Sequence, residues 1–227
     1  MLYFSVNGIQ SSQVELNDRG FAYGDGIFTT AKITRGNIQQ LDSHIDRLMH
    51  SCRCLHIEDV NFTSLKEELI TIASTHELAV LKVIITAGSG GRGYSRKGAS
   101  SPTIAISIHE FPPHYEQWHS EGITLGDSSL RIGLNPLLAG LKHLNRLEQV
   151  LIRKELDERP EDDIVVYDLN SRIVEVSAGN IFWLIAGELY TPELSNAGVN
   201  GLMRQFIIDK ASSLPSIESV NVVSKKQ

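Results

Sequence analysis

The sequence predicts an α+β protein of two domains. Residues 1–40 alternate apolar and polar side chains around tight turns, which is typical of antiparallel strands. Two segments with helical spacing follow, and the second half of the chain holds short apolar runs between turn residues, which indicates an antiparallel meander. The pair Pro112-Pro113 stiffens the chain between these two patterns. We therefore place a small N-terminal α/β domain at 1–111, a linker at 112–116 and a larger C-terminal domain at 117–227.

Composition and charge narrow the functional classes. The chain has 227 residues, 41% of them hydrophobic, and a formal net charge of -6. This acidic balance offers no basic surface for nucleic acid or an anionic membrane. No apolar run of about 18 residues could span a bilayer, and the first residues do not resemble a signal peptide, so we expect a cytoplasmic protein that acts on a small molecule. Cys52 and Cys54 point to different sides of one predicted helix, so we expect no disulfide and a reducing compartment.

The N-terminal domain begins with a predicted hairpin. Asn7-Gly8 is a two-residue turn whose members tolerate positive φ angles. The glycine-punctuated loop 21–26 then leads into a strand with Ile27, Ala31 and Ile33, and a turn at residues 35–37 reverses the chain.

Helices and strands alternate through the rest of this domain. A first helix starts at Asp42 or Ser43, and a second covers about residues 62–78, because both segments carry apolar residues at helical spacing. Residues 79–86 form a strand whose nearly continuous apolar character predicts burial on both faces. The next strand covers residues 103–108.

A glycine-rich run, residues 88–96, connects those two strands. Four glycines within six residues could cradle a phosphate. The run lacks the Lys-Ser/Thr pair of a P-loop and does not clearly open a helix. We therefore interpret it as a flexible connector.

The C-terminal domain contains one helix immediately after Lys142. Asn145 and Glu148 have the spacing of a capping box, so we predict that this helix starts at Asn145. Its apolar face is predicted to bury Leu147, Val150 and Leu151. A last helix starts at Asn200-Gly201. Strands are predicted at 122–126, 130–132, 164–167, 173–176, 181–185, 189–190 and 220–223.

Lys142 is a candidate catalytic residue. Leu141 and Leu144 beside it could partly desolvate its amine, which lowers the pKa of a lysine and allows it to form a Schiff base. Most lysines are solvated surface charges, so these local features alone favour no chemistry.

Three further features could bind a cofactor or substrate. Glu175 lies among β-branched residues, where a carboxylate needs either a solvated face or a positive partner. The start of the last helix, residues 199–204, presents backbone N–H groups that suit a phosphate. Arg47 lies at the edge of an apolar helical stripe. Each feature is common in proteins for purely structural reasons. The eight histidines form no ligand cluster with one another or with cysteine, so no metal site is predicted.

Taken together, these features resemble one known family. The segments that carry the resemblance are Asp18-Arg19-Gly20 through Phe28, His44-x-x-Arg47-Leu48, residues 140–148, Glu175-x-Ser177-x-x-Asn180 and Gly198-Val199-x-Gly201-x-x-Arg204. Their order is similar to that in class IV pyridoxal-phosphate (PLP) enzymes, the fold-type IV group, which includes branched-chain and D-amino acid aminotransferases. Within the group, residues 88–95 and 140–148 look most like bacterial carbon–oxygen lyases of folate biosynthesis. The resemblance implies a C-terminal domain with a mainly antiparallel, barrel-like sheet.

The resemblance also implies roles for single residues. Lys142 would bind PLP covalently and act in catalysis, and Glu175 would keep the pyridine nitrogen protonated so that the ring can accept electrons. The phosphate and ring contacts would be Arg47, the backbone amides of Leu202 and Met203, and Asn180. The substrate contacts would be Phe28, Thr29, Arg92, Tyr94 and Asn145.

Assembly and alternative functions also follow from the resemblance. We expect a homodimer in which Arg92 and Tyr94 reach the site of their own chain or of the partner. Members of the family usually continue past the position of Gln227, so we expect the usual C-terminal segment to be missing from this sequence. Two other functions stay open. One is a D-amino acid or branched-chain aminotransferase, which needs a keto-acid acceptor, and the other is a non-catalytic binding module that keeps the scaffold.

Overall fold

The computed structural model describes residues 2–211 and 223–225, which form two compact units. The first unit comprises Met1–Pro113 together with Lys142–Asn145, and the second comprises His114–Leu141 together with Arg146–Gln227. The first unit therefore ends inside the range predicted as a linker. Residues 142–145, which the sequence places in the C-terminal domain, group instead with the N-terminal unit.

The first unit is built on a five-stranded antiparallel sheet with two longer helices. Its elements are β1 (Tyr3–Val6), α1 (Arg19–Tyr23), β2 (Gly26–Thr34), β3 (Asn37–Ile38), α2 (Leu41–Cys54), α3 (Phe62–Ala73), β4 (Leu78–Thr86), β5 (Gly90–Arg92), β6 (Ser95–Ala99) and β7 (Thr103–Glu110). The main sheet has the strand order β1-β7-β4-β2-β3, and β5 pairs with β6 alone.

One face of the main sheet carries the core of this unit. Helix α2 buries Ile45, Leu48 and Cys52 at helical spacing, as the sequence predicts. The core residues of α3, β2 and β4 are Leu65, Leu69, Ala73, Ile27, Ala31, Ile33, Leu81, Val83 and Ile85. Each buried leucine, isoleucine or valine side chain contributes about 1.5–3 kcal/mol to the free energy of unfolding. The alternate residues of β4, such as Lys82, are only half-buried, so the prediction that β4 is buried on both faces is wrong.

Three connections in the first unit differ, wholly or in part, from the prediction. The Asn7-Gly8 turn is confirmed by reciprocal backbone bonds between Val6 and Ile9 of 2.9 and 3.0 Å, but β1 then pairs with β7. The loop before β2 contains the short helix α1, which Asp18 caps by accepting from the N–H of Gly20. Residues 90–99 form a hairpin instead of a flexible connector.

The second unit contains two small mixed sheets. Its elements are α4 (His114–Glu121), β8 (Leu125–Ile132), α5 (Leu147–Leu156), β9 (Asp163–Asp168), β10 (Ile173–Val176), β11 (Trp183–Ile185), β12 (Glu188–Pro192), α6 (Leu202–Ala211) and β13 (Val223–Lys225). One sheet has the order β10-β9-β8 and the other β11-β12-β13. The β9–β10 and β11–β12 pairs are antiparallel as predicted, whereas β8–β9 and β12–β13 are parallel.

Several boundaries in this unit also differ. Helix α4 begins at His114, so the predicted linker 112–116 is partly helical. The two strands predicted within 122–132 are one strand, β8. Of the predicted final strand 220–223, residues 220–222 lie outside the described residues, and β13 begins at Val223.

Helix α5 corrects two predictions. It begins at Leu147 without a side-chain cap, because Asn145 and Glu148 bond elsewhere: Asn145 Nδ2 donates to Gly24 O and Glu148 Oε1 accepts from Gly133 N–H. Its buried residues are Ile152 and Leu156, which pack with Ile132, Ile164, Val166 and Val174. The residues predicted to be buried, Leu147, Val150 and Leu151, are 78%, 59% and 56% exposed.

Helices of the described residues are all too short or too polar to cross a membrane.

Candidate active site

Lys142 lies beside the first residues of β2, on the edge that the short strand β3 covers only at Ile33 and Thr34. The N–H of Phe28 donates to the carbonyl of Lys142 over 2.9 Å, and the N–H of Leu144 donates to the carbonyl of Gly26 over 3.0 Å. Ile27 and His143 form the antiparallel bridge between these bonds. Residues 142–144 therefore act as a short extra strand, and strand pairing, not a helix cap, fixes the lysine.

Asn145 anchors the end of that extra strand. Its side-chain amide donates to the carbonyl of Gly24 over 3.0 Å, across 121 positions of sequence. Gly24 adopts φ 66° and a Cβ there would lie 2.6 Å from Asn145 Oδ1, so the contact requires glycine. The predicted substrate contact Asn145 thus has a structural partner close to the lysine.

The amine of Lys142 lies over an aromatic ring. Its Nζ is 4.6 Å from the centre of the Phe28 ring, and Lys82 Nζ is 5.2 Å from the same ring. Phe28 is a predicted substrate contact, and the structure places it directly against the predicted catalytic lysine. Lys82 is a second cation at this ring that sequence reasoning missed, because a lysine within an apolar strand carries no motif.

Thr29 and Arg47 meet on the opposite, helix-covered face of β2. Successive strand residues point to opposite faces, so Thr29 faces away from Phe28 and is 1% exposed. Arg47 Nη2 donates to Thr29 Oγ1, which lies 2.6 Å from His44 Nδ1. Burial lowers the pKa of Arg47 to about 10, and burial together with the Arg47 charge lowers the pKa of His44 to about 4. Sequence reasoning missed this use of His44, although the residue belongs to the His-x-x-Arg motif.

In the second unit, Glu175 is buried on β10. Its side chain is 6% exposed, and Oε2 accepts from the N–H of Val199 over 2.9 Å. Gly198 has φ +82°, and a Cβ there would lie 2.6 Å from Val174 Cγ1 and 3.3 Å from Glu175 Oε2. The segment 198–200 also pairs with Gly140, whose N–H donates to Gly198 O and whose carbonyl accepts from Asn200 N–H. The carboxylate is therefore positioned by a tightly packed backbone.

Asn180 and the start of α6 adjoin this backbone. Asn180 Nδ2 donates to the carbonyl of Val199 over 2.8 Å, and its Oδ1 packs where a Cβ of Gly201 would be. Leu202 and Met203 form the first turn of α6, the positive end of the helix dipole, which favours anions. Arg204 ties the helix to β12 by donating to Thr191 Oγ1 and Pro192 O.

Arg146 supplies a positive charge near Glu175. Its Nη2 donates to the carbonyl of Leu141 over 2.7 Å. Burial lowers the pKa of Arg146, and the carboxylates of Glu175 and Glu148 oppose that shift. The sequence leaves open a solvated face or a positive partner for Glu175, and it does not identify Arg146 as that partner.

Arg92 and Tyr94 lie on the β5–β6 hairpin of the first unit. Arg92 is exposed, and Tyr94 is 91% exposed with its ring edge-on to Tyr23 at 5.6 Å. Both predicted substrate contacts therefore lie on the exposed surface of this hairpin.

A buried arginine organises this hairpin. Arg19 Nε donates to Asp25 over 2.9 Å, and its two Nη atoms donate to the carbonyls of Gly90, Gly93, Tyr94 and Ser95. Arg96 donates to the same carboxylate, and these two arginines hold the pKa of Asp25 below its usual value against the effect of burial. The carbonyls of the glycine run therefore surround a guanidinium, a cation and not a phosphate.

Several described residues have the chemistry to bind a cofactor that carries a phosphate and a nitrogen-containing ring. Arg47 Nε is buried and has no hydrogen-bond partner in the part of the chain that the structure describes, so it can donate to an anion. Within the second unit, the start of α6 favours an anion, and the buried Glu175 carboxylate suits a protonated ring nitrogen. No group of three or more His, Cys, Asp or Glu side chains that could hold a metal occurs among residues 2–211 and 223–225.

Comparisons with known proteins agree with this chemistry. The sequence model of the family described as amino-transferase class IV matches residues 26–224. The chain is 36% identical over 210 residues to the aminodeoxychorismate lyase of Vibrio harveyi, which covers 92% of this chain and 78% of that protein. It is 26% identical over 214 residues to a D-alanine aminotransferase of Listeria monocytogenes, covering 89% and 70%. The crystal structure of 4-amino-4-deoxychorismate lyase from Pseudomonas aeruginosa matches with a TM-score of 0.87 at 34% identity, covering 93% and 78%.

Proposed function

The chain belongs to the class IV aminotransferase family, and we propose that it is a PLP-dependent lyase that converts 4-amino-4-deoxychorismate to 4-aminobenzoate and pyruvate in folate biosynthesis. The observation that carries the proposal is the fixed position of Lys142 on the edge of β2, with its amine 4.6 Å from the Phe28 ring. The identities of 36% and 34% to two aminodeoxychorismate lyases support this choice of reaction within the family.

Three features of the chain support PLP as the cofactor. In the first unit, Arg47 Nε would donate to a phosphate, and in the second unit the first turn of α6 has the chemistry to bind an anion. Glu175 would hold a proton on the ring nitrogen, and the nearby Arg146 guanidinium interacts favourably with that carboxylate. When bound, PLP supplies an electron sink for the substrate carbon that carries the amino group.

Lys142 then performs the proton transfer. Its amine removes the proton from the ring carbon that carries the 4-amino group, acting as a general base. The bond between the neighbouring ring carbon and the enolpyruvyl oxygen breaks, and the enolpyruvate that leaves takes up a proton to become pyruvate. Because loss of this group makes the ring aromatic, elimination is strongly favoured over transfer of the amine. The Phe28 ring, 4.6 Å from the amine, fixes the position from which the lysine acts.

An aminotransferase on the same fold is the second candidate. The 26% identity to a D-alanine aminotransferase and the family description favour it. Such an enzyme would pass the amino group of D-alanine or a branched-chain amino acid to a keto acid and release no 4-aminobenzoate. A non-catalytic binding module would instead purify without PLP.

The cofactor assignment is tested by spectroscopy and reduction. We expect the purified full chain to absorb light at wavelengths longer than those of the protein band. Borohydride should attach the cofactor irreversibly to Lys142, which peptide mapping would detect. Lys142→Ala should lose both the visible absorbance and turnover. A modified lysine at another position, or a colourless wild-type protein given excess PLP, would contradict the assignment.

We further propose a cytoplasmic homodimer. The exposed residues Leu147, Val150 and Leu151 form an apolar helix face of the kind that marks subunit contacts. Cys52 and Cys54 form no disulfide, which suits a reducing compartment. Light scattering of the purified protein checks the dimer, and a monomeric mass at working concentration would contradict it.

A further inference from the structure

Thr29 and His44 form a chain of hydrogen bonds that ends on Arg47. Arg47 Nη2 donates to Thr29 Oγ1, and Thr29 Oγ1 lies 2.6 Å from His44 Nδ1. His44 and Arg47 stand three residues apart on α2, so both side chains face the same part of β2. The hydroxyl of Thr29 is buried, so its proton and lone pairs must be satisfied by these neighbours.

The direction of each bond follows from the chemistry of the groups. A guanidinium only donates, so Thr29 Oγ1 accepts from Arg47 and its own proton is left for His44 Nδ1. Arg47 Nη2 also lies 3.4 Å from His44 Nδ1, which requires a lone pair on that nitrogen. His44 is therefore neutral, with its proton on Nε2. Its pKa of about 4 agrees, because burial and the Arg47 charge both disfavour the imidazolium.

We propose that Thr29 and His44 are positioning residues that orient Arg47 to bind a phosphate, through a relay from Arg47 Nη2 to Thr29 Oγ1 to His44 Nδ1. The proposal rests on the proposed function only for the identity of the phosphate as that of PLP. The relay engages Nη2 and leaves the buried Nε, which has no partner within the described residues, as the donor for the anion. Because the long Arg47 side chain is already held in place, it loses less conformational entropy when the phosphate binds.

The tautomer of His44 tests the relay without any cofactor. Long-range proton–nitrogen spectra of the full chain freed of PLP should show His44 protonated on Nε2 alone near neutral pH. A proton on Nδ1, or a charged imidazolium at that pH, would overturn the relay. This measurement stays decisive even if the chain binds no PLP, in which case the proposed function fails separately.

Binding measurements test the positioning role. Thr29→Val removes the hydroxyl at nearly constant shape, and we expect it to weaken PLP binding about tenfold, as loss of one charged hydrogen bond does. Thr29→Ser keeps the hydroxyl and should bind PLP as the wild type does. Pyridoxal, which lacks the phosphate, should bind equally to wild type, Thr29→Val and Thr29→Ser.

His44 variants repeat the comparison at the other end of the relay. His44→Asn keeps an acceptor near the position of Nδ1 and should retain PLP affinity, whereas His44→Phe should lose about as much as Thr29→Val. If His44→Phe does not fold, the two Thr29 variants carry the test. Unchanged PLP affinity in Thr29→Val, or an equal loss for PLP and pyridoxal, would show that the bonds only pack α2 against β2.

Discussion

Replacing Gly198 with alanine tests how the backbone positions Glu175. Gly198 has φ +82°, and a Cβ there would lie 2.6 Å from Val174 Cγ1, 2.9 Å from Leu194 Cδ2 and 3.3 Å from Glu175 Oε2. The left-handed backbone costs a non-glycine residue about 1–2 kcal/mol. Forcing a methyl group into closed packing costs about 1–3 kcal/mol more. We therefore expect Gly198→Ala to lower the free energy of unfolding by about 2–5 kcal/mol and to displace the carboxylate.

Gly187 provides the matched control for this substitution. It has φ +85°, but a Cβ there would meet nothing within 4 Å. Gly187→Ala should therefore show only the backbone cost of about 1–2 kcal/mol. Equilibrium urea unfolding of both variants gives the two losses, and PLP titration should show weaker binding for Gly198→Ala alone. Equal losses of stability and equal PLP affinities would refute the steric argument.

Three further predictions follow from contacts at the site and the hairpin. Glu175→Gln keeps an acceptor for Val199 N–H but removes the negative charge. We expect a free energy of unfolding within about 1 kcal/mol of wild type and a kcat lower by at least about 100-fold, which corresponds to about 2.7 kcal/mol. A smaller fall in the steady-state rate would contradict the role of the charge. Arg19→Met leaves the hairpin carbonyls without their donor and the Asp25 carboxylate with Arg96 alone, so it should lower the free energy of unfolding by about 3–5 kcal/mol. The exposed ion-pair control Arg153→Met should lose less than about 1 kcal/mol, and similar losses in thermal unfolding would count against the network. Burial and the Arg47 charge lower the pKa of His44 in the folded protein to about 4, whereas the usual pKa of histidine is 6.5. Between these pH values the unfolded chain binds one more proton than the folded chain, so the free energy of unfolding falls as the pH falls. Wild type should lose about 3 kcal/mol more than His44→Asn across that range, and parallel pH profiles of urea unfolding would refute this.

Local periodicity predicted the elements that pack through a regular stripe. Helix α2 has its core residues at the expected spacing, and β2 alternates buried and half-buried residues as predicted. Periodicity alone does not identify the buried face of α5, because its sequence contains two apolar stripes and only tertiary packing decides between them. The stripe with Ile152 and Leu156 meets the second unit's core, which leaves Leu147 exposed.

Long-range polar contacts explain the failed capping prediction. Asn145 and Glu148 have the right spacing for a local cap, but the side chain of each forms a hydrogen bond with a backbone group distant in sequence. Lys142 is consequently held by pairing with β2, which no local pattern around the lysine could indicate. The same limit applies to the ion pairs of Asp25, whose partner Arg96 lies 71 positions away.

The candidate site was predictable where residues belong to ordered motifs. The motifs identified Lys142, Glu175 and Arg47, and the structure gives each a specific local contact. The supporting residues His44 and Arg146 were not predicted as functional, because their contribution comes from burial and from partners that meet only after folding.

The ratio of products tests the proposed function most directly. The purified full chain, supplied with PLP and 4-amino-4-deoxychorismate and no keto acid beyond what the reaction makes, should release 4-aminobenzoate and pyruvate in equal amounts over many turnovers. Lys142→Ala should release neither. Absence of both products from active, PLP-loaded wild type, together with transfer of an amino group from D-alanine to a keto acid, would contradict the lyase assignment.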